Sequence, residues 1–421
     1  MYEDSRFAFI EDGCVTSAAG FKAAGAHAGF RKDPGRLDLA LVEADEPFPA
    51  AGVFTQNAFC AAPVLFDRAQ FGGVGYGTAR AVVVNSGIAN AATGPEGLAR
   101  AELSAELAAA AIGCAAEDVL VASTGVIGVQ LSLDPFEEAL PGMHAQAAPT
   151  PEAGHAAARA IMTTDTHPKE CAVSYESADP ALAGTRFTVG GMVKGSGMIM
   201  PNMATMIAVL TTDAPLTGPA LHAALRYVAD RTFNKITVDS DTSTNDSAFL
   251  LASGAAAPGA FDAFAVGQPA FCEFRDALLA VCTRLARMQA ADGEGATRLI
   301  TVRVTGAASD ADADACARTV ANSPLVKTAV FGHDANWGRI AAAAGRSGAA
   351  FDPGRVSIDL AGLPMMRHGL PVAFDEAEAL KRFDAPEIEI AIDLGAGDAA
   401  TCVWTCDFSH DYITINGDYR S

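Results

Sequence analysis

Lys194-Gly-Ser-Gly-Met-Ile-Met-Pro201-Asn-Met-Ala204-Thr205-Met-Ile-Ala-Val-Leu-Thr-Thr-Asp213 is a glycine-rich, proline-containing loop that runs straight into an apolar, partly β-branched segment. The apolar half reads as a buried strand. Thr205 stands at the junction, where flexible backbone gives way to rigid structure. Inside a chain its hydroxyl is a poor nucleophile, because nothing adjacent takes its proton. If the Ala204–Thr205 peptide bond is cut, Thr205 gains a free α-amine with a reference pKa of about 7.7–8.0. That amine is a base held beside its own hydroxyl, the N-terminal-threonine form of nucleophilic catalysis. The same stretch also reads as a Gly/Ser loop entering a core strand, and these residues alone leave both readings open.

The whole chain narrows the function classes. Its 421 residues are 50% hydrophobic with 40 Gly and 21 Pro, which describes a globular, loop-rich protein of one large or two to three smaller domains. A formal charge of −21 argues against nucleic acid or an anionic membrane surface as the main partner. The nine cysteines are scattered without a CxxC, as in a reduced protein with buried thiols rather than a disulfide framework or zinc site. No basic-then-apolar leader opens the chain, and charges break the alanine-rich runs before they reach membrane-span length. A cytoplasmic location is expected. Gly195-Ser-Gly197 lacks the spacing of a dinucleotide or Walker loop. Asp239-Ser-Asp241 lacks the glycine and distal glutamate of a calcium loop, so it reads as a polar turn and no metal is expected.

In chain order, Leu37–Val42 alternates as a strand, a Pro/acidic turn follows, and Ala51–Asn57 and Ala61–Val64 read as further strands. Arg80–Asn85 is a buried strand closing in Asn85-Ser86-Gly87, a place where α/β sheets hold ligands, although a capping role for Asn85 is the simpler reading. A helix from Gly97 to Ile112 comes next. Val119-Leu-Val-Ala-Ser123-Thr124-Gly125 repeats the design, and by itself Ser-Thr-Gly reads as a cap. Ala156–Met162 is helical and ends in Thr163-Thr164-Asp165-Thr166-His167, a capping turn with a surface histidine. Val189–Val193 is a strand leading to Lys194, a lone lysine that local reasoning leaves in solvent.

Beyond Thr205, helices are expected over Pro219–Arg231 and Asp276–Met288, and a strand over Leu299–Val304. Glu294 lies in Asp292-Gly-Glu-Gly295, where flanking glycines let the carboxylate approach another group or simply make a charged turn. Asp334-Ala-Asn336-Trp-Gly-Arg339 reads as a helix start with Arg339 paired to Asp334. The C-terminal stretch from Ala400 alternates as a strand and stops abruptly at Ser421, so the tail is expected to be pinned in structure.

Taken together and in this order, Phe54-Thr-Gln-Asn57, Ser123-Thr-Gly125, Lys194-Gly-Ser-Gly-Met198, Pro201-Asn-Met-Ala-Thr-Met206, Ile236-Thr-Val-Asp239 with Asp241-Thr-Ser-Thr-Asn-Asp246, and Asp334 to Arg339 resemble the ornithine acetyltransferase family, also called glutamate N-acetyltransferases. The likeness runs from about residue 16 to 421. It departs at Ser240, where glycine is expected, and at His410 and Gly417, where Tyr and Ala are expected.

The resemblance implies an α/β fold, a layered α/β/β/α sandwich of the self-processing aminopeptidase kind. It implies cleavage between Ala204 and Thr205 into an α fragment 1–204 and a β fragment 205–421, the latter including a smaller C-terminal α/β region. Thr205 is then the nucleophile with its α-amine as base, while the Thr124 hydroxyl and Gly125 N–H form the oxyanion hole, a role both groups can fill as donors. Substrate contacts fall to Thr164, Lys194, Glu294, Asn416 and Ser421. The implied reaction is a ping-pong transfer of acetyl from N2-acetylornithine to glutamate in arginine biosynthesis, by a heterotetramer of two α and two β fragments. No cofactor is expected. Acetyl-CoA as a co-substrate stays open, since no pantetheine or phosphate-cradling signature is present. Two alternatives also stay open: a related self-processing amidase or aminopeptidase that hydrolyses its acyl-enzyme, and a non-catalytic protein on the same fold.

Overall fold

The first part of the chain alternates apolar strands with alanine-rich helices, and backbone pairing joins all of those strands into one mixed sheet. The computed structural model describes residues 6–200 and 206–418. The chain divides into two compact units. The first takes the chain up to Gly195, the segment ending at Asn234, and Thr242–Leu285; the second takes Ser196–Met200, Lys235–Asp241 and the chain from Ala286 onward.

Strands of the first unit are β1 (Ala8–Phe9), β2 (Phe21–Ala26), β3 (Leu39–Phe54), β4 (Tyr76–Ile88), β5 (Val119–Val126), β6 (Lys169–Glu176), β7 (Arg186–Lys194), β8 (Ile207–Thr212) and β9 (Ser247–Ala252). They lie in the order β1-β6-β7-β8-β9-β3-β4-β5, with β2 beside β3. Its helices are α1 (Ala62–Gln70), α2 (Gly94–Ile112), α3 (Asp134–Gln146), α4 (Pro151–Ala160) and α5 (Gly218–Ala229). α6 (Pro269–Ala291) follows, and its last residues belong to the second unit.

β3 holds this sheet together. Its first half pairs with β2 and with Ala81–Asn85 of β4, and its second half pairs with β9. The Pro/acidic segment expected to be a turn is instead an irregularity inside one strand, where the register shifts between Glu43 and Phe48. A bulge absorbs the surplus residues and bends the strand without ending it. Val42, Val82, Val84 and Leu120 from one side of the sheet share a core cluster with Met192, Ile207, Val209, Phe249 and Leu251 from the other. Leu39, Leu41, Ala81, Val83, Val119 and Val121 form a second cluster with α2 and α3 residues. The layered α/β arrangement expected from the sequence is present, with β3 paired to β2, β4 and β9. Ala61–Val64, expected as a strand, opens α1, because Pro63 fits the first helical turn.

β8 is buried at every position, as a continuous apolar run predicts for a central strand. It pairs antiparallel with β7 and parallel with β9.

The second unit has a sheet of β10 (Leu299–Ala307), β11 (Ser357–Leu360), β12 (Leu363–Arg367), β13 (Leu370–Pro371), β14 (Glu387–Asp393) and β15 (Ala399–Cys406), ordered β13-β12-β11-β14-β10-β15. Its helices are α7 (Asp310–Ala321), α8 (Pro324–Phe331), α9 (Trp337–Gly345), α10 (Glu376–Arg382) and α11 (His410–Gly417). β14 buries Ile388, Ile390 and Ile392 and turns its acidic residues outward, the period-two pattern of a half-buried strand. Two expectations fail here. The C-terminal stretch leaves the sheet at Cys406 and forms helix α11, because the Ser409 hydroxyl caps it by accepting from the Asp411 N–H. Arg339 does not pair with Asp334; it donates to the Leu325 carbonyl at 2.8 Å, while Asp334 accepts from Asn336 at 3.0 Å. Among the described residues no helix is long and apolar enough to cross a membrane.

α4 lies flush on β2. A Cβ at Gly25 would sit 2.2 Å from the Ala156 carbonyl oxygen, so only glycine admits the helix this close. Gly25→Ala is expected to destabilise the chain by about 1–3 kcal/mol through overpacking, a fall of about 2–4 °C in Tm per kcal/mol. Thermal melts followed by circular dichroism check this, and an unchanged Tm contradicts the close packing.

Candidate active site

Two strand ends lie side by side in the first unit. β4 and β5 run parallel in a register that sets Asn85 opposite Ser123, Ser86 opposite Thr124, and Gly87 opposite Gly125. The two similar motifs read from the sequence are therefore adjacent in space. Gly125 has φ 131, and a Cβ there would meet the Gly87 carbonyl carbon at 2.3 Å, so glycine is required twice over. The Thr124 side chain beside it is buried. Asn85 lies within β4 and caps no helix; it accepts from the Ser123 hydroxyl at 2.6 Å and donates to the Ile88 carbonyl at 2.9 Å.

The Thr242–Asp246 segment locks onto this end of the sheet. Asn245 donates to the Ser123 carbonyl at 2.7 Å and the Ala89 carbonyl at 2.5 Å. Thr55 donates to the Ser243 carbonyl at 2.8 Å and Asn57 to the Thr242 carbonyl at 2.9 Å. The Phe54-Thr-Gln-Asn57 motif thus holds a motif nearly two hundred positions further along. Sequence reasoning assigned neither Asn245 nor Asp246 to the site. The Asp241–Asp246 motif was the available signal, but the partners that give Asn245 its role are distant in the chain.

Asp246 is wholly buried, and its Oδ2 has no hydrogen-bond partner among the described residues. Burial pushes its carboxyl well above the usual range, against weaker opposing effects from the Ser243 hydroxyl, the Met206 N–H and the Lys194 charge. Ala204, Thr205 and Ser421 lie outside the described residues. Met206, next after Thr205, is buried, and its carbonyl accepts from the Ser247 N–H at 2.9 Å.

The threonine cluster follows α4. Arg31 donates to the Met162 carbonyl and Arg36 to the Thr163 carbonyl, each at 2.6 Å. Asp165 is buried and accepts from the Lys169 ammonium at 2.7 Å, the Gly195 N–H at 2.8 Å and the Thr163 N–H at 2.9 Å. Burial raises its carboxyl, but the Lys194 and Lys169 charges and these hydrogen bonds outweigh that and hold it well below the ordinary carboxylate range. Lys169 is fully buried and was missed; its spacing of four from Asp165 was the available signal. Lys194 is buried, not solvent-exposed as local reasoning has it. Thr164 is half-buried, and His167 is exposed as expected.

The second unit gathers Glu294, Asn416 and the Ser196–Met200 segment. Buried Glu294 accepts from Asn416 of α11 at 2.8 Å, and its N–H donates to the Ser196 carbonyl at 2.9 Å. A Cβ on Gly197 would lie 2.3 Å from the Glu294 carboxyl carbon, so this glycine makes room for the acid. The Asp239 carboxylate accepts from the Met198 N–H at 2.6 Å and the Ile199 N–H at 2.8 Å, so it binds backbone. Ser240, the departure from the expected glycine, sits in the left-handed region at φ 68.

Each unit therefore holds part of the candidate set. The first has a hydroxyl and a glycine amide at paired strand ends, with a buried cation. The second has a buried acid held by an amide. The family model described as the ArgJ family matches residues 22–421. The arginine biosynthesis bifunctional protein ArgJ of Symbiobacterium thermophilum is 50% identical over 410 residues, spanning 97% of this chain and 99% of the relative. A crystal structure of the bifunctional ArgJ protein of Bacillus halodurans is 40% identical with a TM-score of 0.49, covering 51% of this chain and 100% of that one. Ornithine acetyltransferase of Mycobacterium tuberculosis, solved with ornithine, is 41% identical with a TM-score of 0.42, covering 47% of this chain and 100% of that one.

The Asp246 environment yields a pH prediction. A carboxyl whose folded pKa is raised costs stability as pH climbs from its unfolded value, about 3.9, through the folded one. Asp246→Asn removes that loss. Both chains compared carry Thr205→Ala, which keeps them alike in every other respect. The Tm of the Asp246→Asn chain, relative to that of its Asp246 parent, is expected to rise as pH goes from about 4 toward 8. A difference that stays flat across this range contradicts a buried neutral acid.

Proposed function

The chain belongs to the ArgJ family, and on that premise we propose that it is a self-cleaving glutamate N-acetyltransferase that moves acetyl from N2-acetylornithine to glutamate in arginine biosynthesis. The observation that carries the geometry of this reading is the paired end of β4 and β5, where Thr124 and Gly125 are fixed by the register and by Asn245.

The residues take the following roles in the proposal. Cleavage before Thr205 frees its α-amine. The Thr205 hydroxyl attacks the acetyl carbonyl and its proton passes to that amine. The oxyanion accepts hydrogen bonds from the Thr124 hydroxyl and the Gly125 N–H. The proton then leaves with the ornithine α-amine, and acetyl remains as an ester on Thr205. The glutamate α-amine attacks the ester, its surplus proton returns to the Thr205 oxygen by way of the α-amine, and N-acetylglutamate departs. Lys194 receives the α-carboxylate common to both substrates, and Glu294 the side-chain ammonium of ornithine. Thr164, Asn416 and Ser421 complete the contacts.

The description of the relatives as bifunctional supports a second glutamate-acetylating activity, for which acetyl-CoA is the proposed donor. Fragments 1–204 and 205–421 stay paired, and two of each form the proposed cytoplasmic heterotetramer. No resident cofactor has a role.

Incubation with N-acetylornithine alone is expected to add one acetyl group to the β fragment by intact mass, and addition of glutamate is expected to remove it. Thr124→Ala is expected to lower kcat by about 10²–10³-fold, as for loss of one oxyanion donor. Release of free acetate at a rate indifferent to glutamate would instead favour the hydrolytic alternative.

A further inference from the structure

Asp165 joins three separate pieces of the first unit. It follows α4, Lys169 opens β6, and Gly195 lies just beyond the end of β7. Oδ1 accepts from both the Lys169 ammonium and the Gly195 N–H, while Oδ2 accepts from the Thr163 N–H and, at 3.4 Å, from the Thr163 hydroxyl. The carboxylate and its lysine are 1% and 0% exposed.

A buried ion pair of this kind gives little net stability over an apolar pair of similar size, yet breaking one half of it is costly. Stability alone therefore does not account for its presence. What the pair does accomplish is geometric. Gly195 has φ 151, a conformation that side chains rarely adopt, and its N–H is held by a carboxylate that also feels the charge of Lys194. The same carboxylate fixes the first residue of the threonine cluster, whose carbonyl Arg36 holds from the other side.

We propose that Asp165 is a positioning residue for substrate recognition: it sets the end of β7 and the 163–166 loop as one rigid piece, so that Lys194 meets an α-amino-acid carboxylate in a fixed place. This deepens, and rests on, the reading of Lys194 as the carboxylate-binding cation. Lys169 serves to neutralise Asp165 and takes no direct part. Because donor and acceptor share the α-carboxylate, loss of Asp165 weakens binding of both.

The test uses full-length, self-processed protein and three changes: Asp165→Asn, the paired change Asp165→Asn with Lys169→Met, and Lys194→Met. The paired change leaves no unpartnered charge from the ion pair, so it carries the test if Asp165→Asn alone does not fold. KM for N-acetylornithine and for glutamate is each expected to rise about tenfold or more in the paired variant, with kcat within about threefold of wild type. Combined with Lys194→Met, the paired change is expected to add little, because both remove the same interaction. Unchanged KM values, a loss confined to kcat, or a KM effect that multiplies fully on the Lys194→Met background overturns the inference. Failure of the paired variant to fold also overturns it, since the pair is then a structural requirement. If wild-type protein transfers no acetyl group, the reading of Lys194 falls and takes the inference with it; an active wild type with indifferent variants removes the inference alone.

Discussion

The ladder between β7 and β8 brackets residues 195–206. Lys194 pairs with Ile207, and five further residue pairs run on to Val189 and Thr212. β8 is held on its other side by β9, beginning with Ile207 opposite Ser247. A cut before Thr205 leaves this six-pair ladder whole, and β8 stays in the middle of a buried sheet. This is the physical condition for a chain that can lose a peptide bond and keep its fold. Burial of all six β8 residues adds hydrophobic contact to the backbone pairing on both sides.

Within each unit, the candidate residues share a second constraint, close approach of backbone. Gly125 lies against Gly87 with no room for a methyl group, and Gly197 leaves space for the Glu294 carboxyl. Hydrogen-bond donors are spent on carbonyls that would otherwise be free to shift: Asn245 on Ser123 and Ala89, Arg31 on Met162, Arg36 on Thr163. Such restraint is what oxyanion stabilisation demands, because donors already in place need no reorganisation during reaction. Asp165 extends the same logic to the cation at the end of β7.

Much of this was legible in the sequence because burial writes itself into apolar runs. Val119–Ala122 and Ile207–Leu210 announce buried strands, and the alanine-rich stretch before Ile112 announces a helix. Local patterns misled where a distant partner decides the outcome. The Glu43–Phe48 segment has turn composition, yet β4 carries it as a bulge. Ala61–Val64 looks extended until Pro63 is recognised as a helix opener, and the C-terminal alternation yields to the Ser409 cap. In the candidate site, the Thr-Gly and Lys-Gly motifs could be singled out by family likeness. The Asp165–Lys169 pair carried only an i,i+4 spacing as its signal, and the Asn245 bridge lay in a quoted motif whose role depends on contacts far along the chain.

Everything in the mechanism depends on Thr205 acquiring a free amine. The most direct measurement is denaturing electrophoresis with intact mass and N-terminal sequencing of the purified protein, beside a Thr205→Ala chain. The account predicts two fragments for the wild type, the second beginning at Thr205, and a single uncut chain for the variant. A wild-type chain that stays whole while transferring acetyl, or a cut at any other bond, would contradict it.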